Sequence, residues 1–187
     1  MFDLKHFTLD IQELPDFEVI NQQLIAGLNS NINQDSTRKS HQFFGRYENI
    51  YIDTDKIPAL TDILEAAKMF SAEILHCDIS ELKAGLWFNV MNPGDKTTLH
   101  RHDDDDELLS AVYYVQVADN SGTLNLKKAP VEVKITPESG MFVFFKPDMP
   151  HEVSKNLSKE CRISLGINIG PAENTAIEGQ QKDKTTL

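Results

Sequence analysis

The hydrophobic period of this chain changes once, near Asp78, and that change limits the fold more than any other feature of the sequence. Before it, Phe17, Ile20, Leu24, Ile25 and Leu28 recur at helical spacing, which predicts an amphipathic helix over Leu14 to Asn29 with Pro15 in its first turn. A second stripe, Ile57, Leu60, Ile63, Leu64, Ala67, Phe70 and Ile74, predicts another helix, with Pro58 near its start and Thr54 or Asp55 as the cap. Between them the polar stretch Asn29 to Ser40 reads as a loop, and Phe43 to Ile52 as extended chain. Beyond Asp78 short β-rich runs alternate with turn signals. Eight strands are expected: Glu81 to Met91, Thr97 to His102, Leu108 to Val117, Thr123 to Lys127, Val131 to Thr136, Met141 to Lys146, His151 to Ser154 and Arg162 to Ile169. Asn92-Pro93-Gly94, Asn120-Ser121-Gly122, Ser139-Gly140 and Pro147-Asp148 punctuate them. Short strands at this spacing are the pattern of sandwiches and jelly rolls.

A chain of 187 residues with 40% hydrophobic and 25% charged residues is long enough, and ordinary enough, to bury one core. The expectation is a single domain over residues 1–170, with a helical part at 1–78 and a β core at 79–170. Residues 171–187 are polar, lack aromatics and read as a disordered tail. The 18 Lys and Arg against 29 Asp and Glu give a net charge of -11, a field that repels phosphate backbones and anionic lipid surfaces. No nucleic-acid or membrane partner is therefore expected. Two cysteines without CxxC spacing, Cys77 and Cys161, suggest reduced thiols and a cytoplasmic setting. Met1 to Asp10 lacks the basic region and apolar run of a secretion signal, which agrees with that setting.

Chemistry concentrates in Leu99-His100-Arg101-His102-Asp103-Asp104. Residues two apart on a strand project to one side, so His100, His102 and Asp104 share a face. Imidazole and carboxylate suit a first-row divalent ion, and two His with one carboxylate leave coordination positions open on Fe(II). A further His is needed, and His151 supplies it from a Pro-containing turn after the apolar run Met141 to Phe145. Two sets satisfy this reading: His102, Asp104 and His151, preferred because a carboxylate partly neutralises the metal, or His100, His102 and His151. Asp103, Asp105 and Asp106 read as solvent-facing. Arg162 and Ser164 alternate onto one face of the last strand, where a guanidinium and a hydroxyl together can grip a carboxylate.

In order, these parts are His-x-His or His-x-Asp, then Leu109-Ser110-Ala111-Val112-Tyr113-Tyr114-Val115, a Gly-ended turn, an aromatic strand, Pro150-His151-Glu152-Val153 and Arg162-Ile163-Ser164. The ordered set resembles the iron(II)- and 2-oxoglutarate-dependent dioxygenase superfamily, within it the prolyl-hydroxylase-like group, over roughly Leu86 to Ile169. The resemblance implies a double-stranded β-helix (a cupin-like jelly roll) of about eight strands covered by two helices. It implies Fe(II) as cofactor, 2-oxoglutarate as co-substrate and ascorbate as an optional accessory. By position, His151 corresponds to the distal iron ligand and Arg162 to the anchor of the far carboxylate of 2-oxoglutarate, with Ser164 and Tyr114 as auxiliary donors. The register of related oxygenases with His-x-His favours His100 and His102, whereas literal His-x-Asp selects His102 and Asp104 with His100 behind. Trp87 and Asn89 are placed to line the same pocket. The implied activity is hydroxylation of a C–H bond of a peptide side chain or small molecule, with release of succinate and CO2. Two alternatives stay open: a cupin-like three-His metal enzyme that does not use 2-oxoglutarate, and a non-catalytic jelly-roll binding module. The N-terminal helices are expected to cover one sheet or to form a homodimer contact.

Overall fold

The two helical stripes become α1 (Phe17–Asn31) and α2 (Ala59–Leu75) in the computed structural model of the chain, which describes residues 9–43, 45–102 and 106–172. α1 starts later than its apolar pattern suggests. Leu14 donates its N–H to the Gly140 carbonyl at 2.9 Å and Asp16 adopts φ 52°, so the chain is committed to a turn before the first helical residue. α1 also ends later, because Ser30 and Asn31 hydrogen-bond back to the carbonyls of Ala26 and Gly27 instead of opening a loop. Neither Thr54 nor Asp55 caps α2. The Lys56 and Ile57 N–H groups close a turn on the Asp53 carbonyl, and the helix begins after Pro58.

Among the described residues eleven strands run in chain order: β1 (Leu9–Glu13), β2 (Arg38–Phe43), β3 (Arg46–Tyr51), β4 (Leu82–Met91), β5 (Thr97–His100), β6 (Leu109–Gln116), β7 (Leu124–Lys128), β8 (Val131–Ile135), β9 (Met141–Phe145), β10 (His151–Val153) and β11 (Arg162–Pro171). The last eight lie where the short apolar runs place them. The N-terminal part is less purely helical than its stripes imply, since β1, β2 and β3 join the larger sheet. β1 pairs with β9 along the whole of Leu9 to Glu13, and β2 runs partly through the stretch read as a loop. β5 stops at His100 because the His102 N–H turns away to the Pro147 carbonyl at 3.0 Å. β11 runs on to Pro171 because its pairing with β4 continues to Leu82. Residues 173–187, expected to form a disordered tail, lie outside the described residues.

All pairings are antiparallel. They form a seven-stranded sheet in the order β1-β9-β6-β11-β4-β3-β2 and a four-stranded sheet in the order β5-β10-β7-β8, the two layers of a jelly roll. The large sheet buries apolar side chains on both faces. Its outer face packs Phe88, Phe142, Phe144, Leu165 and Ile167 against Leu24, Leu28, Leu60, Ile63 and Phe70 of the helices. Each such fully buried side chain contributes about 1.5–3 kcal/mol of transfer free energy. Its inner face sets Tyr114, Val143 and Phe145 against Leu124, Leu126 and Met149 of the small sheet and its turns. β9 is therefore apolar at every position, Met141-Phe142-Val143-Phe144-Phe145, because alternate residues feed two cores.

Strand alternation sorts the two tyrosines. Tyr113 faces the helices, where its hydroxyl donates to Asn21 Oδ1 at 2.7 Å, while Asn21 Nδ2 donates to the Val115 carbonyl at 2.8 Å. Tyr114 faces inward, between the sheets.

Candidate metal and anion site

β5 and β10 are direct neighbours, and their register sets His100 opposite His151. Two residues on, past the end of β5, His102 comes to the same side. The three imidazoles each offer a nitrogen within 4.8 Å of the others, and their ring centroids lie 4.2 Å (His100–His151), 5.3 Å (His102–His151) and 5.7 Å (His100–His102) apart. Every Nδ1 is engaged from outside: His100 by the Thr98 carbonyl at 2.8 Å, His151 by the Met149 carbonyl at 2.8 Å, and His102 by the Glu107 carboxylate at 3.2 Å. An imidazole that donates through Nδ1 to an outer acceptor keeps its Nε2 lone pair for a metal, and such outer partners also fix the ring orientation. The donor set therefore fits a divalent first-row ion. Of the other acidic candidates, Asp103, Asp104 and Asp105 lie outside the described residues, and Asp106 is exposed and pairs with Lys83 at 3.3 Å.

His151 is the buried member of the group, 6% exposed. Burial first, then the neighbouring His100, hold its pKa down at about 3; the Met149 carbonyl pulls the other way, and His102 adds a smaller depression. The folded protein thus refuses a proton that the unfolded chain accepts near pH 6.5. The unfolded state binds more protons between those two values, so the stability of metal-free protein rises with pH across that window and falls as pH drops through it. By pH 5 the expected loss from this residue is about 2 kcal/mol. The check is the melting temperature of metal-free wild type and His151→Gln between pH 7 and pH 5: the variant should show the shallower decline, and parallel curves would refute the assignment.

The histidines open onto a cavity of about 540 Å³ between the sheets, a volume typical of small-molecule sites. β11 supplies its far wall. Ile163, Leu165 and Ile167 join the core beneath the helices, whereas Arg162, Ser164, Gly166 and Asn168 line the cavity. Arg162 is 1% exposed, yet no carboxylate of the described residues forms an ion pair with it. One amino group donates to the Gly122 carbonyl at 3.2 Å, and Nε has no partner. Tyr114 stands beside it, with the guanidinium carbon 5.0 Å from the ring centroid and a buried hydroxyl that is also without a partner. Tyr114 lies behind the cavity wall rather than in it. Burial lowers the pKa of Arg162 and raises that of Tyr114, each opposing its charged form. A buried charge left unpaired costs several kcal/mol, so this corner is built to receive an anion. A dicarboxylate such as 2-oxoglutarate fits that need.

Trp87 and Asn89 line the same cavity from β4. The indole lies so close over β11 that a Cβ on Gly166 would sit 2.5 Å from it, and glycine is what permits the approach. Several lining residues escaped the sequence reading: His41, Glu48, Asn49 and Tyr51 from the β2–β3 hairpin, Ser110 from β6 and Asn168 from β11. The alternation of β11 with Arg162 and Ser164 already pointed to Asn168. The hairpin residues carry no such signal, because their position depends on β3 joining the large sheet at a single register point, Ile50 opposite Phe88.

A family model described as the 2OG-Fe(II) oxygenase superfamily matches residues 86–170, the span that contains all three histidines and Arg162. Over that span the chain is similar to the 2OG-Fe(II) oxygenase superfamily. It is an enzyme of the 2-oxoglutarate-dependent non-haem iron type, with Fe(II) and 2-oxoglutarate as cofactor and co-substrate. Solved structures share its fold. A Pseudomonas putida prolyl-4-hydroxylase superposes with TM-score 0.71 at 22% identity, covering 90% of this chain and 95% of that one. A prolyl hydroxylase from Trichoplax adhaerens, in complex with a hypoxia-inducible-factor peptide fragment, gives TM-score 0.66 at 13% identity, covering 95% and 90%. The epimerase SnoN, in complex with Fe3+, alpha-ketoglutarate and nogalamycin RO, gives 0.69 at 9% identity, covering 89% and 80%. No curated protein matches the sequence. Among the described residues no helix is long and apolar enough to cross a membrane.

Proposed function

We propose that this oxygenase holds Fe(II) on His100, His102 and His151, anchors 2-oxoglutarate on Arg162 with Ser164 and Tyr114 at its side, and hydroxylates a C–H bond of a peptide side chain or small molecule. The observation that carries the reading is the buried, unpaired Arg162 guanidinium on the wall of the cavity onto which three inward-facing imidazoles open. The bound iron supplies the oxygen chemistry, with 2-oxoglutarate consumed to succinate and CO2. The chain itself contributes position. The outer acceptors on each Nδ1 hold the three Nε2 atoms toward one point, and Arg162 fixes the depth at which a dicarboxylate lies. Apolar packing of Leu124 and Phe145 along the cavity wall excludes water from it.

On the substrate side, Asn89 and Asn168 line the cavity with buried side-chain oxygens that have no partner, beside the Trp87 and Tyr51 rings, whose centroids are 6.2 Å apart. Acceptors in search of donors favour a substrate bearing N–H or O–H groups next to a flat apolar part, which both a peptide and a hydroxylated small molecule satisfy. The acidic surface and the two free cysteines support a cytoplasmic enzyme of one domain, residues 1–170, acting on a substrate other than nucleic acid.

The test is succinate release from 2-oxoglutarate with Fe(II) and ascorbate, alone and with candidate peptides, comparing wild type with His151→Ala. Slow uncoupled turnover by wild type alone, stimulated by the right substrate and lost in the variant, is the expected result. Failure of wild type both to turn over and to bind 2-oxoglutarate would end this reading in favour of a three-His enzyme independent of 2-oxoglutarate or a binding module.

A further inference from the structure

The described ligand candidates are three imidazoles, yet a carboxylate sits directly behind one of them. The Glu107 side chain is 3% exposed, both of its oxygens lie 3.2 Å from His102 Nδ1, and Ser110 Oγ donates to one of them at 2.5 Å. Ser110 also lies 3.2 Å from the same Nδ1, so the three groups form a closed triangle. A carboxylate is an acceptor only, so both hydrogens in the triangle point to Glu107, one from the hydroxyl and one from Nδ1. His102 is thereby committed to the tautomer with its lone pair on Nε2.

We propose that Glu107 is a positioning residue for the metal, bringing a carboxylate charge to the site through His102 rather than by coordination. The proposal rests on the metal reading given above and extends it to a residue outside the ligand set. Three features distinguish this arrangement from an ordinary ion pair. The carboxylate is withdrawn from solvent, where its charge is screened least. It engages Nδ1, which leaves Nε2 as the His102 nitrogen for a metal shared with His100 and His151. Ser110, on the strand β6 that also borders the cavity, orients it with a short charge-assisted hydrogen bond. A hydrogen-bonded carboxylate makes the far nitrogen of an imidazole a better electron donor, and outer partners of this kind typically change metal affinity by about 10–100-fold.

The experiment titrates metal-free protein with Mn(II) by calorimetry and records the visible spectrum of the Co(II)-loaded form, in wild type, Glu107→Gln and Ser110→Ala. Glu107→Gln keeps the size and one acceptor but removes the charge. Its Mn(II) affinity is expected to fall by about 10–100-fold, with a shifted Co(II) spectrum and an unchanged melting temperature in the metal-free state. Ser110→Ala leaves the charge in place and is expected to weaken affinity only several-fold. A Glu107→Gln protein that binds Mn(II) as wild type does, with the same Co(II) spectrum, overturns the proposal. If Glu107→Gln does not fold, Ser110→Ala decides the matter, and wild-type affinity there overturns it equally. Absence of Mn(II) binding by wild type removes the metal reading itself, and this proposal with it.

Discussion

Arg162→Ala is expected to abolish measurable 2-oxoglutarate binding while leaving the protein folded. Truncating one partner of a buried, hydrogen-bonded charge pair costs about 2–5 kcal/mol, a loss of roughly 30- to 5,000-fold in affinity. What makes the prediction sharp is its effect on the ligand-free protein. Arg162 is 1% exposed with no carboxylate partner among the described residues, so its charge is a burden on the folded state until an anion arrives. Removing it should leave the melting temperature of ligand-free protein unchanged or raised, while the rise that 2-oxoglutarate produces in wild type disappears. Arg162→Lys should recover part of the affinity, since an ammonium keeps the charge but not the planar fork. Thermal shift with and without 2-oxoglutarate measures all of this. Wild-type binding by Arg162→Ala would instead favour a three-His enzyme that does not use 2-oxoglutarate.

The second large effect concerns the metal. His151→Ala removes the imidazole that faces both of the other two, at ring distances of 4.2 and 5.3 Å, and should reduce Fe(II) or Mn(II) affinity by more than the 10–100-fold expected of an outer partner. His100→Ala and His102→Ala should do the same. Asp104→Ala is the informative control: a set of three imidazoles leaves it with wild-type affinity, whereas a set of His102, Asp104 and His151 does not. Calorimetric titration of the four metal-free variants separates the two sets. Loss of affinity in Asp104→Ala with retention in His100→Ala would reverse the assignment made here.

Much of this was legible in the sequence because the relevant signals are local. The eight strands of the β core were bounded by Gly, Pro and Asn turns, and their apolar runs matched the observed limits to within about two residues. His151 and Arg162 stood out because each sits at the start of a strand whose alternation determines what shares its face. The choice among His100, His102 and Asp104 was not local. Both pairs are two residues apart, and alternation along one strand treats them alike; what brings His100 to the site is its register opposite His151 across β5 and β10. Register between strands 51 positions apart in the chain leaves no mark in either segment. Glu107 was hidden for a related reason, since nothing in the sequence distinguishes its withdrawn carboxylate from that of the exposed Asp106 beside it. The N-terminal strands were missed because β1 and β2 are edge strands, with too few apolar residues to declare a face.

The strand β9 has a further consequence. Phe144 meets Phe70 of α2 edge-on at 6.2 Å, while the next residue, Phe145, meets the His151 ring edge-on at 4.8 Å. Adjacent side chains of one strand therefore connect α2 to an imidazole of the site in two steps. The helical layer is thus a remote handle on the pocket: a substitution as distant as Phe70→Leu would register in how tightly His151 is held, and evolution could retune this catalyst from its back.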